Sequence, residues 1–374
     1  MKIKFATTDA EKQAVFRIRY DIYVEEMGVY TDQADHENRI FTDSHDDTDL
    51  LMYAEEDSQV VAAMSLVDGS VAPMAEGLKA IYDLERFAGI IPEEKMSAFI
   101  RLVVKKELRS TSLPFRMMAA GGEKGINNGA ELFFCTCQPH LIKMYQRLGF
   151  RSYSKEVYND PQFGIMIPLV LVLNDAEHLQ QIRSPMRKIF AKGHYDPAAL
   201  QPVLQAMGTS TIHDTESNQG SEKWSSLYNV LDESQSDQFL LFEGLENDEI
   251  QNVIAMGHVI ECASGDLVIK KGQVAKTVYV PLSGDLHVRN GEQLIAIVQK
   301  GEMLGEQAFL LGERRTVDVY AGSDGCQVLS LDERNLRAMI ETPGRIAAIL
   351  LLNMSRALAR RLAQTTAELQ VQGG

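Results

Sequence analysis

The sequence predicts two folded domains and a connector. An α/β (α+β) domain is expected over residues 1–175, a helical connector and loop over 176–235, and a β jelly roll closed by a long helix over 236–374. Three observations carry this expectation. At 374 residues the chain is too long for one ordinary domain. Residues up to 175 alternate helical and strand apolar patterns, whereas beyond 236 short apolar runs are punctuated by Gly265, Gly272, Gly284, Gly291, Gly301 and Gly305. Between them, residues 208–226 are rich in Ser, Thr, Asn, Gly and Asp, which is the composition of a mobile loop.

The elements follow in order. Ala10–Met27 is amphipathic, with Ala14, Phe16, Ile18, Ile22 and Tyr23 inward. Leu50–Tyr53 and Val60–Val67 form neighbouring strands around a turn at residues 55–58. Phe99–Val104 is a buried strand, Phe115–Asn127 a helix and Ala130–Cys137 a further strand. Pro139–Leu148 is a helix stopped by Gly149, and Ile165–Leu173 is a continuous apolar strand. Ala176–Ala191 and Pro197–Met207 are helical. In the last region, Thr277–Val280 and Asp285–Val288 flank Ser283-Gly284 as a hairpin would. Arg345–Gln370 is a long helix with an apolar stripe of Ile346, Ile349, Leu350, Met354, Leu358 and Leu362, suited to a homodimer seam or to docking within the chain.

Composition removes several function classes. A net charge of −15 argues against nucleic acid as a partner of the whole chain. The four cysteines, Cys135, Cys137, Cys262 and Cys326, lack zinc-ribbon spacing and fit a reduced, cytoplasmic setting, so no metal is expected. Cys135 and Cys137 lie on one side of a strand, as small core residues do. The N-terminus has no long apolar stretch, so no signal peptide is expected. No run of about 18 apolar residues occurs, so no membrane span is expected.

The segment from Gly305 to Thr316 carries the first chemistry. A Glu at 306 can accept from a ribose 2′-OH, an Arg nine residues later can pair with a cyclic phosphate, and the amides opening the short helix add a weak positive field. With the glycine pattern, residues 236–365 resemble a cyclic nucleotide-binding domain of the catabolite-activator and kinase-regulatory type. The resemblance implies Glu306 on the ribose, Arg315 on the phosphate, Thr316 lending a hydroxyl, and a backbone cradle from Gly305, Gln307 and Ala308. It leaves cAMP and cGMP both open. Asn353 and Ser355 on the last helix are either base contacts or solvated positions. Transcription factors of that family carry a DNA-reading helix-turn-helix after the long helix. The chain stops at Gly374, and Arg356, Arg360 and Arg361 read as a solvated or dimer-flanking face, so no DNA contact is expected.

The front of the chain carries the second. His140–Phe150, with Tyr145 and a Leu-Gly-Phe turn after the strand Leu132–Cys137, resembles the GNAT acyltransferase fold. A Tyr at the position of Tyr145 implies protonation of a leaving thiolate. Phe16–Gly28 resembles the first helix of acyl-homoserine-lactone synthases (autoinducer synthases) and N-acyl amino acid synthases, with Arg19, Tyr23 and Gly28 matching. Asp43, Asp46 and Asp47 match the acidic stretch loosely, and Arg101 matches the central-strand Arg. Three positions depart: the acid expected three residues before the strand Arg is Ala98, the aromatic after Gly28 is Val29, and a further strand Arg is Ser65. These departures disfavour lactone formation and favour another amine acceptor.

Residues 105–114 lack the glycine loop with which coenzyme A-using members cradle a pyrophosphate. They offer Lys105, Lys106 and Arg109 instead, with Arg116 nearby, a patch suited to acidic acyl carrier protein. The implied chemistry is attack of an amine on an acyl thioester. Backbone amides near Leu102, Val103 and Val104 hold the carbonyl oxygen. Asp43 or Asp46 removes the proton through water, with His36 and His45 as alternative bases, and Arg19 or Arg101 pairs with an acceptor carboxylate. The expected function is a cyclic nucleotide-regulated N-acyltransferase using acyl carrier protein phosphopantetheine or a coenzyme A thioester. The alternatives are a non-enzymatic sensor and a protein lysine acetyltransferase under the same control.

Overall fold

The computed structural model of the chain describes residues 1–109, 111–154, 156–208, 212–214, 239–274 and 277–372. It divides into two compact units, residues 1–158 with 166–210, and residues 159–165 with 211–374.

The first unit is built on one mixed sheet. Its strands are β1 (Lys2–Phe5), β2 (Leu50–Glu56), β3 (Gln59–Asp68), β4 (Met96–Val104), β5 (Leu132–Cys137), β6 (Arg151–Ser152), β7 (Tyr158–Asp160) and β8 (Gly164–Val172). They run in the order β1-β2-β3-β4-β5-β8-β6, with β7 also on β8. β2 and β3 reach further into their turn than the sequence pattern indicates. Asp57 and Ser58 form the two-residue corner, both with positive φ (49° and 62°), the backbone that matches the twist of a tight hairpin.

Two irregularities in β4 matter for function. Its register against β3 shifts between Ala63↔Val103 and Ser65↔Ile100, and Arg101 has φ 56° in the middle of the strand. A non-glycine residue in the left-handed region costs about 1–3 kcal/mol and persists only where its surroundings hold it. Meanwhile β4 pairs in parallel with β5 only from Met96↔Leu132 to Ala98↔Phe134. Beyond Ala98 the strands part, and among the described residues β3 is the strand that residues 99–104 pair with.

Helices cover both faces. The first, α1 (Asp9–Arg19), starts in a capping box between Thr8 and Glu11. The expected single helix to Met27 changes type after Arg19: Tyr20–Met27 is π-helical and ends at Gly28 with φ 69°. α3 (Leu113–Asn127), which follows α2 (Glu76–Ile81), lies close on the sheet. A Cβ on its Gly125 would sit 2.5 Å from Phe133, whose ring stacks on Phe99 at 4.7 Å. α4 (Ile142–Leu148) follows β5 and stops at Gly149, φ 114°. A core of Val67, Tyr82, Phe87, Ala98, Phe134 and Tyr153 lies on one face of the sheet. α5 (Ala176–Gln181), α6 (Arg187–Phe190) and α7 (Leu200–Met207) complete the unit. Val203 and Met207 of α7 join that core, so this part of the expected connector packs as part of the first unit.

The second unit holds two four-stranded sheets, β12-β16-β10-β9 and β11-β15-β13-β14. The strands are β9 (Ile212–Asp214), β10 (Gly257–Cys262), β11 (Leu267–Ile269), β12 (Val278–Ser283), β13 (Leu286–Asn290), β14 (Gln293–Val298), β15 (Asp318–Ala321) and β16 (Cys326–Leu331). The hairpin expected at Ser283-Gly284 is not one. β12 pairs with β16, and β13 pairs with β14 and β15, so the chain crosses from one sheet to the other at Gly284 (φ 70°). Alternating apolar residues on either side of a turn look alike whether the strands pair or face each other across a sandwich. The loop expected over 208–226 contains β9, paired to β10; residues 209–211 and 215–226 lie outside the described residues.

α8 (Asn247–Ile254), α9 (Glu306–Leu311), α10 (Glu333–Glu341) and the 28-residue α11 (Arg345–Gln372) are the helices of this unit. α11 buries Ala347, Leu350, Asn353, Met354 and Ala357. Leu362, expected in its apolar stripe, is 69% exposed. Among the described residues no helix is long and apolar enough to cross a membrane.

Candidate functional site

In the first unit, α1, its π-helical extension and residues 29–49 bring three predicted groups together beside β4. Arg19 is fully buried. Its Nη1 donates to both oxygens of Asp46 (2.7 and 2.8 Å) and its Nη2 to Ser65 Oγ (2.6 Å). Asp46 also accepts from the Asp43 backbone amide at 2.5 Å. Arg101 binds Asp43 through Nε (2.7 Å) and Nη2 (2.5 Å), and donates through Nη1 to the Tyr30 hydroxyl (2.6 Å). Its guanidinium lies 4.8 Å from the Tyr30 ring, 5.6 Å from Phe41 and 6.0 Å from Tyr23. Tyr23 packs edge-on to both Tyr30 and Phe41. These partners hold the strained backbone of Arg101. Burial alone would raise the Asp43 carboxyl, but Arg101 holds it below the usual carboxylate range.

Of the expected bases, Asp46 has both oxygens engaged by Arg19 and Asp43 is clamped by Arg101. The ring nitrogens of His36 meet Tyr20 Oη and the Thr31 carbonyl, each at 2.9 Å. His45 Nε2 stands 3.9 Å from Asp43. The carboxylate that the sequence reading passed over is Asp49. Its Oδ2 is buried with no hydrogen-bond partner among the described residues. Burial, with Asp46 and Asp43 nearby, pushes its pKa up to about 7. The signal for it was a fourth Asp, after Asp43, Asp46 and Asp47 and next to the start of β2. Tyr30, one residue beyond the expected aromatic position, supplies the ring that Val29 lacks.

Tyr145 on α4 is buried, edge-on to Phe150 at 5.6 Å. Burial, then Cys135 and Cys137, push its phenol well above its ordinary value, so it holds its proton at neutral pH, as a donor to a leaving thiolate must. Cys135 and Cys137 are buried thiols raised by burial, in keeping with core residues. Leu102, Val103 and Val104 line the stretch of β4 whose β5-facing edge has no strand partner among the described residues.

The basic patch is smaller than expected. Lys105 is half-buried and precedes one 3₁₀ turn, of which the exposed Lys106 is the first residue. Arg109 is engaged inside the unit by a two-pronged pair with Glu26 (2.6 and 2.7 Å) and by the Val104 carbonyl (2.8 Å), and so leaves the predicted docking set.

The second unit gathers its predicted residues around α9. Gly305 adopts φ 89° as the residue before the helix, Glu306 is fully buried and Ala308 is buried, while Gln307 and Thr316 are exposed. Arg315, 6% exposed, donates to the carbonyls of Gly305 (3.1 Å) and Thr277 and lies over the Tyr279 ring; its Nε is buried with no hydrogen-bond partner among the described residues. Burial lowers its pKa. Glu306 was not expected to meet α11, yet Arg361 donates to its Oε1 at 2.5 Å and also reaches the Met303 carbonyl. Glu306 Oε2 is buried with no hydrogen-bond partner among the described residues. Burial raises the Glu306 carboxyl, and Arg361 opposes that shift. Arg361 is thus part of the site rather than a solvated face. Asn353 is not a base contact, since it is buried and donates to the carbonyls of Leu241 and Glu243 (3.1 and 2.8 Å). Ser355 is exposed and bonds the Leu351 carbonyl.

Comparison with known proteins agrees with this division. Residues 14–172 match the family described as N-acyl amino acid synthase FeeM, and residues 259–343 match the cyclic nucleotide-binding domain family. Among curated proteins, the cyclic nucleotide-gated channel beta-3 of Mus musculus is 29% identical over 110 residues, 28% of this chain and 16% of that one. The Homo sapiens channel is 26% identical over 132 residues, 33% of this chain and 16% of that one. The chain therefore spans about a sixth of the length of these relatives. Of solved structures, TofI in a ternary complex with an inhibitor and MTA is 16% identical, covering 53% of this chain and all of that one, with a TM-score of 0.38. The Thermus thermophilus catabolite activator protein is 24% identical, covering 36% and 63%, with a TM-score of 0.32.

Proposed function

We propose that this chain, which joins a domain of the N-acyl amino acid synthase family to a cyclic nucleotide-binding domain, is an N-acyltransferase regulated by a cyclic nucleotide. The first domain transfers a fatty acyl chain from the phosphopantetheine thioester of acyl carrier protein, or from acyl-coenzyme A, to the amine of an amino acid. The second takes cAMP or cGMP. The observation that carries the reading is the parting of β4 and β5 after Ala98, beside the aromatic-lined Arg101 and the protonated Tyr145. A thioester carbonyl laid along β4 meets strand amides that no neighbouring strand among the described residues occupies, the kind of donor that stabilises a tetrahedral oxyanion.

In this reading Arg19 and Arg101 with Asp46 and Asp43 are positioning groups that shape the acceptor side. Tyr145 protonates the leaving thiolate. Lys105 and Lys106 are the remaining basic residues of the carrier-docking set. In the second domain Arg315 exchanges its carbonyl contacts for the cyclic phosphate, and Glu306 Oε2 accepts the ribose hydroxyl. Regulation requires that the nucleotide bind active and inactive arrangements unequally. α11, whose Arg361 touches Glu306, is the element of that unit placed to respond.

The test is a mass-spectrometric product assay. Purified chain receives long-chain acyl carrier protein, or acyl-coenzyme A, and a pool of amino acids, with and without cAMP or cGMP. An N-acyl amino acid whose yield follows the nucleotide is expected. Absence of product with either donor overturns the acyltransferase reading in favour of a sensor. Acetylation of a protein lysine instead of an amino acid overturns the acceptor.

A further inference from the structure

In the second unit, Gln273 is buried where its neighbours are not. It is 8% exposed, while Lys271 is exposed and Val274 is 42% exposed. Hydrophobicity alone would turn the valine in and the amide out, so the backbone makes the choice. Gly272 donates its amide to the Arg315 carbonyl (2.8 Å), and Arg315 donates its amide to the Gln273 carbonyl (2.9 Å). Gly272 has φ 87°. Two residues on one segment thus face one on the other, with the glycine in the left-handed region, which is the G1 form of a β-bulge. The second residue of the bulge, Gln273, lies opposite Arg315. Residues opposite each other in an antiparallel pair carry their side chains to one face, with Cβ atoms about 4.5–5.5 Å apart. Burial agrees, because Arg315 is buried between the exposed Arg314 and Thr316.

The side chain so placed is not satisfied. Gln273 Oε1 accepts from the Lys270 amide at 3.5 Å, but its Nε2 is buried with no hydrogen-bond partner among the described residues. Arg315 Nε beside it and Glu306 Oε2 are in the same condition. Buried donors are costly to leave unpaired, so a donor held in this way next to Arg315 matches an acceptor that arrives with a ligand. A cyclic phosphodiester presents two exocyclic oxygens that share one negative charge. One guanidinium balances that charge. A neutral carboxamide then serves the second oxygen without burying a further charge, which another arginine or a lysine would do.

We propose that Gln273 is a nucleotide-binding residue, its Nε2 donating to the exocyclic phosphate oxygen of cAMP or cGMP that Arg315 does not take. This rests on the nucleotide-binding reading of the second domain above. Arg315 then supplies the charge and Gln273 the second point of attachment, which fixes the orientation of the phosphate while Glu306 Oε2 holds the ribose.

The experiment measures dissociation constants by calorimetry for cAMP, cGMP and the Rp and Sp phosphorothioate diastereomers of cAMP. It uses the full chain and its Gln273→Met and Gln273→Glu variants, with a thermal melt of each chain free of nucleotide. Each diastereomer replaces one exocyclic oxygen with sulfur, a weaker acceptor. Gln273→Met should weaken cAMP and cGMP about 10-fold or more, because a hydrogen bond to a charged group is lost. Gln273→Glu should weaken them further, because a carboxylate then faces the phosphate. The Rp-to-Sp ratio of dissociation constants should change by about threefold or more in Gln273→Met, since the penalty for sulfur at the oxygen facing residue 273 disappears. The nucleotide-free melting temperature of Gln273→Met should equal or exceed that of wild type, because an unpaired buried donor has gone. Binding of cAMP by Gln273→Met within about twofold of wild type overturns the proposal. So does weaker binding with an unchanged Rp-to-Sp ratio, the result expected of a residue that only shapes the site. That ratio compares two ligands on one chain, so it decides even where a variant melts early. If the wild-type chain binds neither cAMP nor cGMP, the nucleotide reading falls and this inference with it. Binding by wild type that is indifferent to residue 273 sinks the inference alone.

Discussion

Set side by side, the two units handle their arginines and acids in opposite ways. In the first, Arg19 and Arg101 each close on a carboxylate, so their charges cancel inside the fold. In the second, Arg315 donates to neutral carbonyls and lies over the Tyr279 ring, and Glu306 gives one oxygen to Arg361 while the other has no hydrogen-bond partner among the described residues. A buried charge matched by an opposite charge serves architecture, because removing either member leaves the other stranded. A buried charge matched by dipoles alone can exchange them for an anionic ligand at little loss. The contrast marks Arg19 and Asp46 as structural, and Arg315 and Glu306 Oε2 as open to a ligand. By the same criterion Asp49 Oδ2 and Glu131 Oε2 are buried acid oxygens of the first unit without a hydrogen-bond partner among the described residues.

That comparison breaks or sharpens in four places. The largest effect is expected at Arg19→Met, which strands Asp46 in the interior and should cost about 3–5 kcal/mol in denaturant unfolding of the first unit. A loss below 1 kcal/mol would show that this pair is not architectural. Next, Arg315→Gln should weaken binding of fluorescent cAMP or cGMP by about 100-fold, close to 2.7 kcal/mol, with the unfolding midpoint of the second unit nearly unchanged. Equal affinity in mutant and wild type would mean that the carbonyl contacts are its final partners.

A smaller effect follows from pH. Asp49 has a folded pKa of about 7, above the ordinary carboxylate value of 3.8. Its protonated form is favoured in the fold, so its contribution is fully present below about pH 4 and is lost as pH rises through about 7. Asp49→Asn should therefore match wild type in stability near pH 4 and exceed it at pH 8, by on the order of 1–2 kcal/mol given its partial exposure. Thermal melts across that range check it, and a variant less stable than wild type at pH 8 would contradict the assignment of Asp49 as an open acid. Asp43 acts in the opposite sense: its lowered value stabilises above the ordinary carboxylate range and is lost as pH falls through its folded pKa. The smallest effect is expected at Glu26→Ala. Arg109 and Glu26 are each about one-third exposed, and their pair should be worth about 0.2–1 kcal/mol. Stronger capture of acyl carrier protein by this variant would return Arg109 to the docking patch.

Much of the candidate sites was visible in the residues. Arg19, Tyr23 and Arg101 do converge, as do Gly305, Glu306 and Arg315, because each set is carried on short segments whose local pattern is strong. The roles within the first set were less visible. Whether Asp43, Asp46 or Asp49 remains open depends on which arginine reaches which carboxylate, and Arg101 reaches Asp43 across 58 positions of chain. Arg361 and Glu306 are 55 positions apart, and nothing local in α11 distinguishes Arg361 from Arg360.

The sequence by itself determined the local elements and the two-domain plan. Apolar periods of 3.6 and 2 residues, the stop at Gly149 and the glycine punctuation beyond residue 236 are properties of neighbouring residues, and they hold wherever the segment lies. Tertiary structure alone decided the crossing between sheets at Gly284, the π-helical turn after Arg19, the parting of β4 from β5 and the choice among three aspartates. Each of these depends on what a distant strand or charge supplies, since hydrogen bonds and ion pairs are satisfied by proximity in space rather than by order along the chain.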